Sequence, residues 1–101
     1  MKEVKHYING QYVGSASGRM FDNINPATGE VISQVHEAGE AEVDAAVKAA
    51  RAALKGPWSK MTIDQRSKIL HAVADGINAR FDEFLEAECA DTGKPKSLAS
   101  H

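Results

Sequence analysis

The chain has 101 residues, 43% of them hydrophobic and 26% charged, and its 12 basic and 14 acidic residues give a formal net charge of −2. This composition is that of a globular protein and excludes collagen-like, disordered and membrane-embedded classes. The balanced charge offers no electrostatic footprint for nucleic-acid phosphates, and a single cysteine cannot form an intramolecular disulfide. We therefore expect at most one domain, without a targeting segment, in a reducing cytosol.

The first third of the chain is predicted to form short antiparallel strands over residues 5–36. Asn9-Gly10 separates two runs rich in Tyr, Ile and Val, and this pair best tolerates the positive φ that a type I′ hairpin turn requires. Such a turn places Tyr7 opposite Tyr12 on one face. A second turn is predicted in NPATGE, residues 25–30, because its proline fixes φ and its Thr-Gly pair forms a flexible corner. The remaining strands are predicted at residues 20–24 and 31–35.

Two helices are predicted after the strands. Apolar residues recur at helical spacing beyond Gly39, which is predicted to be the N-cap of a helix over about 40–55 that a Gly-Pro pair ends. Thr62 and Gln65 fit a capping box, so a second, long helix is expected over about 62–90. Its length and its single apolar stripe imply a partner surface broader than the short helix and the hairpins provide.

The segment ECADTGKPKS, residues 88–97, holds the one cysteine and a fragment similar to a phosphate-binding loop. Nucleophilic thiols favour helix N-termini or cationic neighbours, whereas Cys89 lies near the apolar stripe at a predicted helix C-terminus, so we predict a buried, unreactive thiol. Thr92-Gly93-Lys94 lacks the upstream glycine of a P-loop and follows a helix instead of a strand. Glycine, lysine and proline in this order instead predict a helix end, with Gly93 left-handed.

The remaining candidate motifs do not predict a catalytic or metal site. HEAGE, residues 36–40, lacks the second histidine of a zinc-protease motif, and the four histidines show no metal-ligand spacing, so we expect them to be solvated. The connection between the two predicted helices is too long for a helix-turn-helix motif. Residue chemistry alone therefore indicates a soluble α+β piece.

The order of these segments resembles the N-terminal part of the aldehyde dehydrogenase superfamily. The resemblance rests on YINGQYV, FDNINPATGEVISQVHEA, VDAAVKAARAAL, the tryptophan in GPWSKM, RSKILHAVADGI and DTGKP, which cover nearly the whole chain. Within the superfamily, the chain is most similar to the 2-aminomuconic and 2-hydroxymuconic 6-semialdehyde dehydrogenases of bacterial aromatic-ring breakdown.

The resemblance implies an α/β fold whose strands and helices pack on a dinucleotide-binding domain absent from this chain. Residues 1–101 would then be an N-terminal fragment of the aldehyde dehydrogenase domain, inactive in isolation. The whole enzyme is expected to be a cytoplasmic, NAD-dependent homo-oligomer, a dimer or tetramer without nucleic-acid or membrane partners. It would oxidise a semialdehyde to the dicarboxylate through a cysteine and a glutamate beyond His101.

The resemblance also predicts where site residues lie in this chain. Cys89 does not match the family's nucleophile motif, so no catalytic and no cofactor-binding residue is expected among residues 1–101. The family's alkali-metal site uses a backbone carbonyl just before the Asn-Pro turn, where this chain has Asn23 and Ile24. The metal's acidic ligand has no counterpart here.

Two alternatives stay open at the level of sequence. A free-standing helical module could bind a partner through the stripe from Ile63 to Leu85, and it would be monomeric and unfold cooperatively. A single-cysteine redox protein would show rapid alkylation of Cys89. The choices between amino- and hydroxymuconic substrate and between NAD and NADP also stay open.

Overall fold

The computed structural model describes residues 2–101, which divide into two compact units. Unit 1 comprises residues up to Asn23 together with Val31–Lys60, and unit 2 comprises Ile24–Glu30 together with Met61–His101. The strands are β1 Glu3–Val4, β2 His6–Ile8, β3 Gln11–Val13, β4 Met20–Ile24 and β5 Val31–His36. The helices are α1 Glu40–Ala53, α2 Ile63–Ala79, α3 Phe81–Thr92 and α4 Lys96–Ala99, with a 3-10 turn at Pro57–Lys60.

The predicted hairpin at Asn9-Gly10 is confirmed. Strands β2 and β3 pair antiparallel, and Tyr7 lies opposite Tyr12. The φ angles of Asn9 and Gly10 are 52° and 77°, as a type I′ turn requires. The two tyrosine rings meet edge to face with centroids 4.9 Å apart, a geometry that stabilises aromatic pairs.

The other sheet has the strand order β1-β5-β4, and it corrects the prediction of purely antiparallel strands. Strand β1 runs parallel to β5, with Glu3 opposite Gln34 and Val4 opposite Val35. A parallel pair requires a long connection between its strands, and here the hairpin and β4 supply that length. Turn signals report only on strands that are neighbours in the chain, so they did not reveal this pairing.

The turn between β4 and β5 has the conformation that NPATGE predicts. The Asn25 amide donates to the Glu30 carbonyl and the Gly29 amide donates to the Asn25 carbonyl, both at 2.8 Å. The Asn25 side chain also accepts from the Ala27 amide at 2.9 Å, and Gly29 has a φ of 76°. These internal bonds make the turn a self-supporting segment of unit 2.

Helix α1 begins as predicted. Gly39 is its N-cap, and the Glu42 carboxylate accepts the Gly39 amide proton at 3.0 Å. The helix ends at Ala53, close to the expected boundary.

The prediction of one long helix over about 62–90 is wrong, because the segment forms two helices that break at Arg80. Arg80 has φ −118° and ψ 30°, and its amide bonds to the carbonyl of Ile77, three residues back. Its guanidinium binds both carboxylate oxygens of Glu83 at 2.8 and 3.1 Å. Asp82 and Glu83 thus begin a new helix with favourable acidic side chains. The apolar spacing continues across Arg80, which is why periodicity did not reveal the break.

The C-terminus of α3 agrees with the prediction. Gly93 is left-handed with φ 74° and ψ 7°, and its amide donates to the Cys89 carbonyl at 2.9 Å. A Cβ atom on Gly93 would lie 2.9 Å from Cγ of Pro26, so both the backbone conformation and the close approach require glycine. Pro95 lies two residues beyond this cap and is the N-cap of the short helix α4, which the sequence did not predict.

Neither unit has an apolar core within residues 2–101. The only buried residues there are Ser33 and Glu42, and no apolar side chain is buried. Backbone hydrogen bonds, helix caps, polar side-chain contacts and half-buried apolar side chains such as Ile32 and Val35 hold the described elements together. None of the helices in this range is both long and apolar enough to cross a membrane.

Candidate functional site

Asn23 and Ile24, the predicted metal-site residues, are the last two residues of β4, directly before the Asn25 turn. The Asn25 amide and carbonyl both take part in hydrogen bonds within the turn. Two backbone carbonyls are a small part of an oxygen ligand set, since calcium, for example, takes about six to eight oxygens. Residues 2–101 contain no group of three or more His, Cys, Asp or Glu side chains placed to hold a metal.

Cys89 lies in the last turn of α3 and is half-buried, not fully buried as predicted. Its carbonyl accepts the Gly93 amide, which places the residue at the negative end of the helix. Thiolates are favoured at the opposite end of a helix, so this position does not activate the thiol as a nucleophile.

The connection from β5 to α1 is a strand, a short loop and a helix, the arrangement that binds phosphate in dinucleotide-binding proteins. Here the helix N-terminus carries its own carboxylates, Glu40 and Glu42. The buried Glu42 carboxylate accepts the hydrogen bond of the Gly39 amide. It thus takes the position that an anionic ligand would occupy. The N-terminus of α1 therefore does not fit the pyrophosphate of NAD.

A polar cluster in unit 1, which we call the histidine clasp, consists of Glu3, His6, Ser15 and His36. His36 Nε2 lies 2.9 Å from the Glu3 carboxylate, and His36 Nδ1 accepts the Ser15 amide proton at 3.1 Å. His6 Nε2 lies 2.8 Å from Ser15 Oγ, whose proton is donated to the Glu37 carbonyl. The prediction of solvated histidines is therefore wrong for His6 and His36.

The hydrogen-bond pattern determines which ring nitrogens carry protons. His36 Nδ1 accepts from a backbone amide, so its proton must lie on Nε2, which donates to Glu3. The Ser15 hydroxyl is committed to a carbonyl, so His6 Nε2 donates to Ser15 Oγ. A serine nucleophile would need its proton directed at a histidine base, so the clasp is not a catalytic pair.

Sequence spacing did not predict the clasp because its members lie far apart in the chain. The one local signal is Gly14, where a Cβ atom would lie 3.1 Å from Cε1 of His36. A glycine next to a polar serine in a strand-end loop does not by itself indicate a histidine neighbour.

Two surface crevices of about 320 Å³ each lie in separate units. One is lined by Lys2, Glu3, Val4, Lys5 and Tyr12. The other is lined by residues 78–83 around the helix break. There the hydrogen bond from Arg80, followed by the attraction of its charge, lowers the pKa of Glu83 from its ordinary value of 4.5. Neither lining includes a serine or cysteine together with a histidine.

Each unit exposes an apolar helix surface. In unit 1, helix α1 and the residue after it expose Val43, Val47 and Leu54, the last at 74%. In unit 2, helices α2 and α3 expose a longer stripe. This α2–α3 stripe comprises Ile63, Ile69, Leu70, Val73, Ile77, Phe81 and Phe84. Large exposed apolar patches mark surfaces that bind other protein surfaces.

Comparison with known proteins identifies the relatives of this chain. The model of the aldehyde dehydrogenase family matches residues 12–101. The 2-hydroxymuconic semialdehyde dehydrogenase of Pseudomonas sp. (strain CF600) is 76% identical over 101 residues, which are 100% of this chain and 21% of that protein. The 2-aminomuconic 6-semialdehyde dehydrogenase of a Pseudomonas species is 42% identical over 100 residues, 99% of this chain and 20% of that protein.

The solved structures include the same arrangement of elements. The NAD+ complex of an aldehyde dehydrogenase from Bacillus cereus superposes with a TM-score of 0.90 at 42% identity, covering 97% of this chain and 20% of that one. This match confirms the predicted fold, the N-terminal part of the aldehyde dehydrogenase α/β fold. The chain thus spans about a fifth of the length of the relatives it matches.

Proposed function

This chain belongs to the aldehyde dehydrogenase family, and from that premise we propose that it is the N-terminal part of an NAD-dependent 2-hydroxymuconic semialdehyde dehydrogenase. The observation that carries the proposal is the 76% identity over all 101 residues to an enzyme of that name. The 2-aminomuconic enzyme shares 42%, so the amino substrate is the second candidate.

The proposed reaction oxidises the aldehyde group to a carboxylate. NAD takes the hydride from the aldehyde carbon, and water supplies the second carboxylate oxygen. By resemblance to the family, the nucleophilic cysteine and the base glutamate lie outside residues 1–101, so no residue of this chain takes part in a chemical step.

The role we propose for this chain is to support the fold. Its α2–α3 stripe is exposed, and no apolar side chain among residues 2–101 is buried. Burying this surface on a dinucleotide-binding domain outside the chain would stabilise both partners, at roughly 25 cal/mol per Å² of apolar area. The carboxylates at the start of α1 do not fit a nucleotide, which agrees with NAD binding elsewhere in the enzyme.

We further propose that the backbone carbonyls of Asn23 and Ile24 contribute to an alkali-metal site, by resemblance to the family. Their position at the end of β4, before a self-supporting turn, supports this role. Crystals of the whole enzyme soaked in rubidium test it by anomalous scattering. A rubidium peak within ligand distance of either carbonyl oxygen is expected, and a peak bound only by other residues contradicts the assignment.

We propose a cytoplasmic homo-oligomer, dimer or tetramer, as the working form of the enzyme. The single cysteine of this chain suits a reducing compartment. Sedimentation of the whole protein tests the assembly, and a monomer at working concentration contradicts it.

Expression of the open reading frame that begins with these 101 residues tests the activity. We expect NADH to form with 2-hydroxymuconic semialdehyde and more slowly with the 2-aminomuconic compound, and we expect NADPH to form more slowly again when NADP replaces NAD. Activity on the amino compound alone would assign the second substrate. A reading frame that stops after His101, or no NADH with either compound, contradicts the proposal.

The isolated 101-residue chain provides the matched control and separates the proposal from a free-standing module. The proposal predicts no NADH formation, association through exposed apolar surface and poorly cooperative unfolding. A monomer that unfolds cooperatively favours the module instead. Rapid alkylation of Cys89 at neutral pH would favour a redox role.

A further inference from the structure

The histidine clasp connects three strands and a loop of unit 1. Glu3 belongs to β1, His6 to β2 and His36 to the end of β5, while Ser15 lies in the loop after β3. Each hydrogen bond of the clasp joins residues that are distant in the sequence. The separations are 9 residues for His6 and Ser15, 21 for Ser15 and His36, and 33 for Glu3 and His36. The clasp therefore links the β2-β3 hairpin to β5 through polar side-chain contacts.

The two histidines of the clasp differ in the charge states they tolerate. His6 donates from Nε2 to Ser15 Oγ, so a proton added at its Nδ1 leaves that bond intact. His36 already donates from Nε2 and accepts at Nδ1. A proton added there would face the Ser15 amide, which would lose its acceptor.

The surroundings of His36 decide which charge state the clasp favours. Its side chain is 9% exposed, and a Cβ atom on Gly14 would lie 3.1 Å from Cε1 of the ring. The titratable groups that face it are Glu3 from β1 and His6 from β2, whose ring centroid is 6.3 Å away. Glu3 favours an imidazolium, but its side chain is 51% exposed and solvent screens it, whereas the Ser15 amide is partly buried.

We propose that the histidine clasp is a pH-sensitive lock, which fastens the hairpin to β5 while His36 is neutral and loosens when His36 takes up a proton. Ser15 transmits the change, because it bonds His36 through its amide and both His6 and the Glu37 carbonyl through its hydroxyl.

Hydrogen exchange measured by mass spectrometry on the intact protein tests the lock. The readout is the protection factor of the peptide that contains Ser15, corrected for the intrinsic pH dependence of exchange. Between about pH 8 and pH 5 we expect about a tenfold loss of protection in that peptide. Unchanged protection across this range would overturn the proposal.

Variants separate the lock from a general effect of acid. His36→Asn keeps an acceptor near the Ser15 amide but cannot titrate, so its protection should not change with pH. The control His71→Asn, at an exposed position outside the clasp, should respond as the parent does. A response in His36→Asn equal to that of the parent would overturn the proposal.

If His36→Asn does not fold, the variant Glu3→Gln tests the same proposal. Glu3→Gln keeps an acceptor for His36 Nε2 but removes the charge that favours the imidazolium. Because solvent screens Glu3, loosening in acid should persist in this variant. Loss of the acid response would show that Glu3 and not His36 carries it, and would overturn the proposal.

Discussion

Units 1 and 2 both lack a buried apolar side chain within the described residues, yet different kinds of contact order them. Unit 1 depends on contacts between residues distant in the chain, such as the parallel pairing of β1 with β5 and the bond between Glu3 and His36. Unit 2 depends mostly on contacts within a helical turn, such as the Thr62 cap and the Arg80–Glu83 pair.

The difference shows two ways in which a chain can hold a shape before its apolar surface is covered. Local contacts close short loops and lose little chain entropy, so a helix can form largely on its own signals. Long-range polar contacts order more of the chain for each bond formed, and each buried donor or acceptor left without its partner is costly. We therefore expect substitutions in the two units to act over different ranges.

The largest expected effect concerns the close approach of Gly93 to Pro26, which are distant in the sequence but both belong to unit 2. Gly93→Ala places a Cβ 2.9 Å from Pro26 in a left-handed residue, so the local opening free energy of the α3 C-terminus should fall by about 2 to 4 kcal/mol. Hydrogen exchange of the backbone amide of residue 93, compared between the parent and the variant, measures the change.

Gly29→Ala is the matched control for that substitution. Gly29 has a similar φ of 76° but nothing within 4 Å of its Cβ position, so only the backbone cost of about 1 to 2 kcal/mol should appear. Equal effects at the two glycines would show that the close approach of Pro26 adds nothing to the backbone cost of Gly93→Ala.

Ser15→Ala tests the long-range character of unit 1. It removes the hydroxyl that joins His6 to the Glu37 carbonyl, so local stability should fall by about 1 to 3 kcal/mol. Exchange should quicken in both β2 and β5, which are distant in sequence. Ser17→Ala is the control, because Ser17 only accepts from the nearby Arg19 amide and its loss should cost less than about 0.5 kcal/mol. An effect confined to the loop would contradict the comparison.

Thr62→Ala tests the local character of unit 2. The Thr62 hydroxyl accepts the Gln65 amide at 3.2 Å, and its loss should cost about 1 kcal/mol. Faster exchange should be limited to the first turn of α2. Thr62→Ser restores the cap and should behave as the parent does, whereas a loss that spreads into α3 would show that unit 2 is less local than described.

The smallest expected effect concerns the start of α3 at low pH. The pKa of Glu83 is lowered, first by the hydrogen bond from Arg80 and then by its charge, so the carboxylate contributes stability above its ordinary value of 4.5. That contribution is lost as the pH falls through the lowered folded-state pKa. Exchange at the first turn of α3 should therefore quicken slightly in that range. Glu83→Gln should remove the pH dependence, and a variant that keeps it would exclude Glu83 as the source.

The accuracy of the sequence predictions follows the same division between local and distant contacts. The Asn9-Gly10 turn, the Gly39 and Thr62 caps and left-handed Gly93 were predictable, because a few neighbouring residues determine each of them. The helix break at Arg80 was not, since neither proline nor glycine marks it and the apolar spacing runs across it.

By itself the sequence determined the local elements of this chain, and its similarity to known enzymes identified the family. Only the tertiary structure decided that β1 runs parallel to β5 and that Glu3, His6, Ser15 and His36 meet. The physical reason is that a turn or a cap depends on groups a few residues apart. A distant pairing depends on which of many possible chain arrangements brings its partners together, and spacing in the sequence does not record that choice.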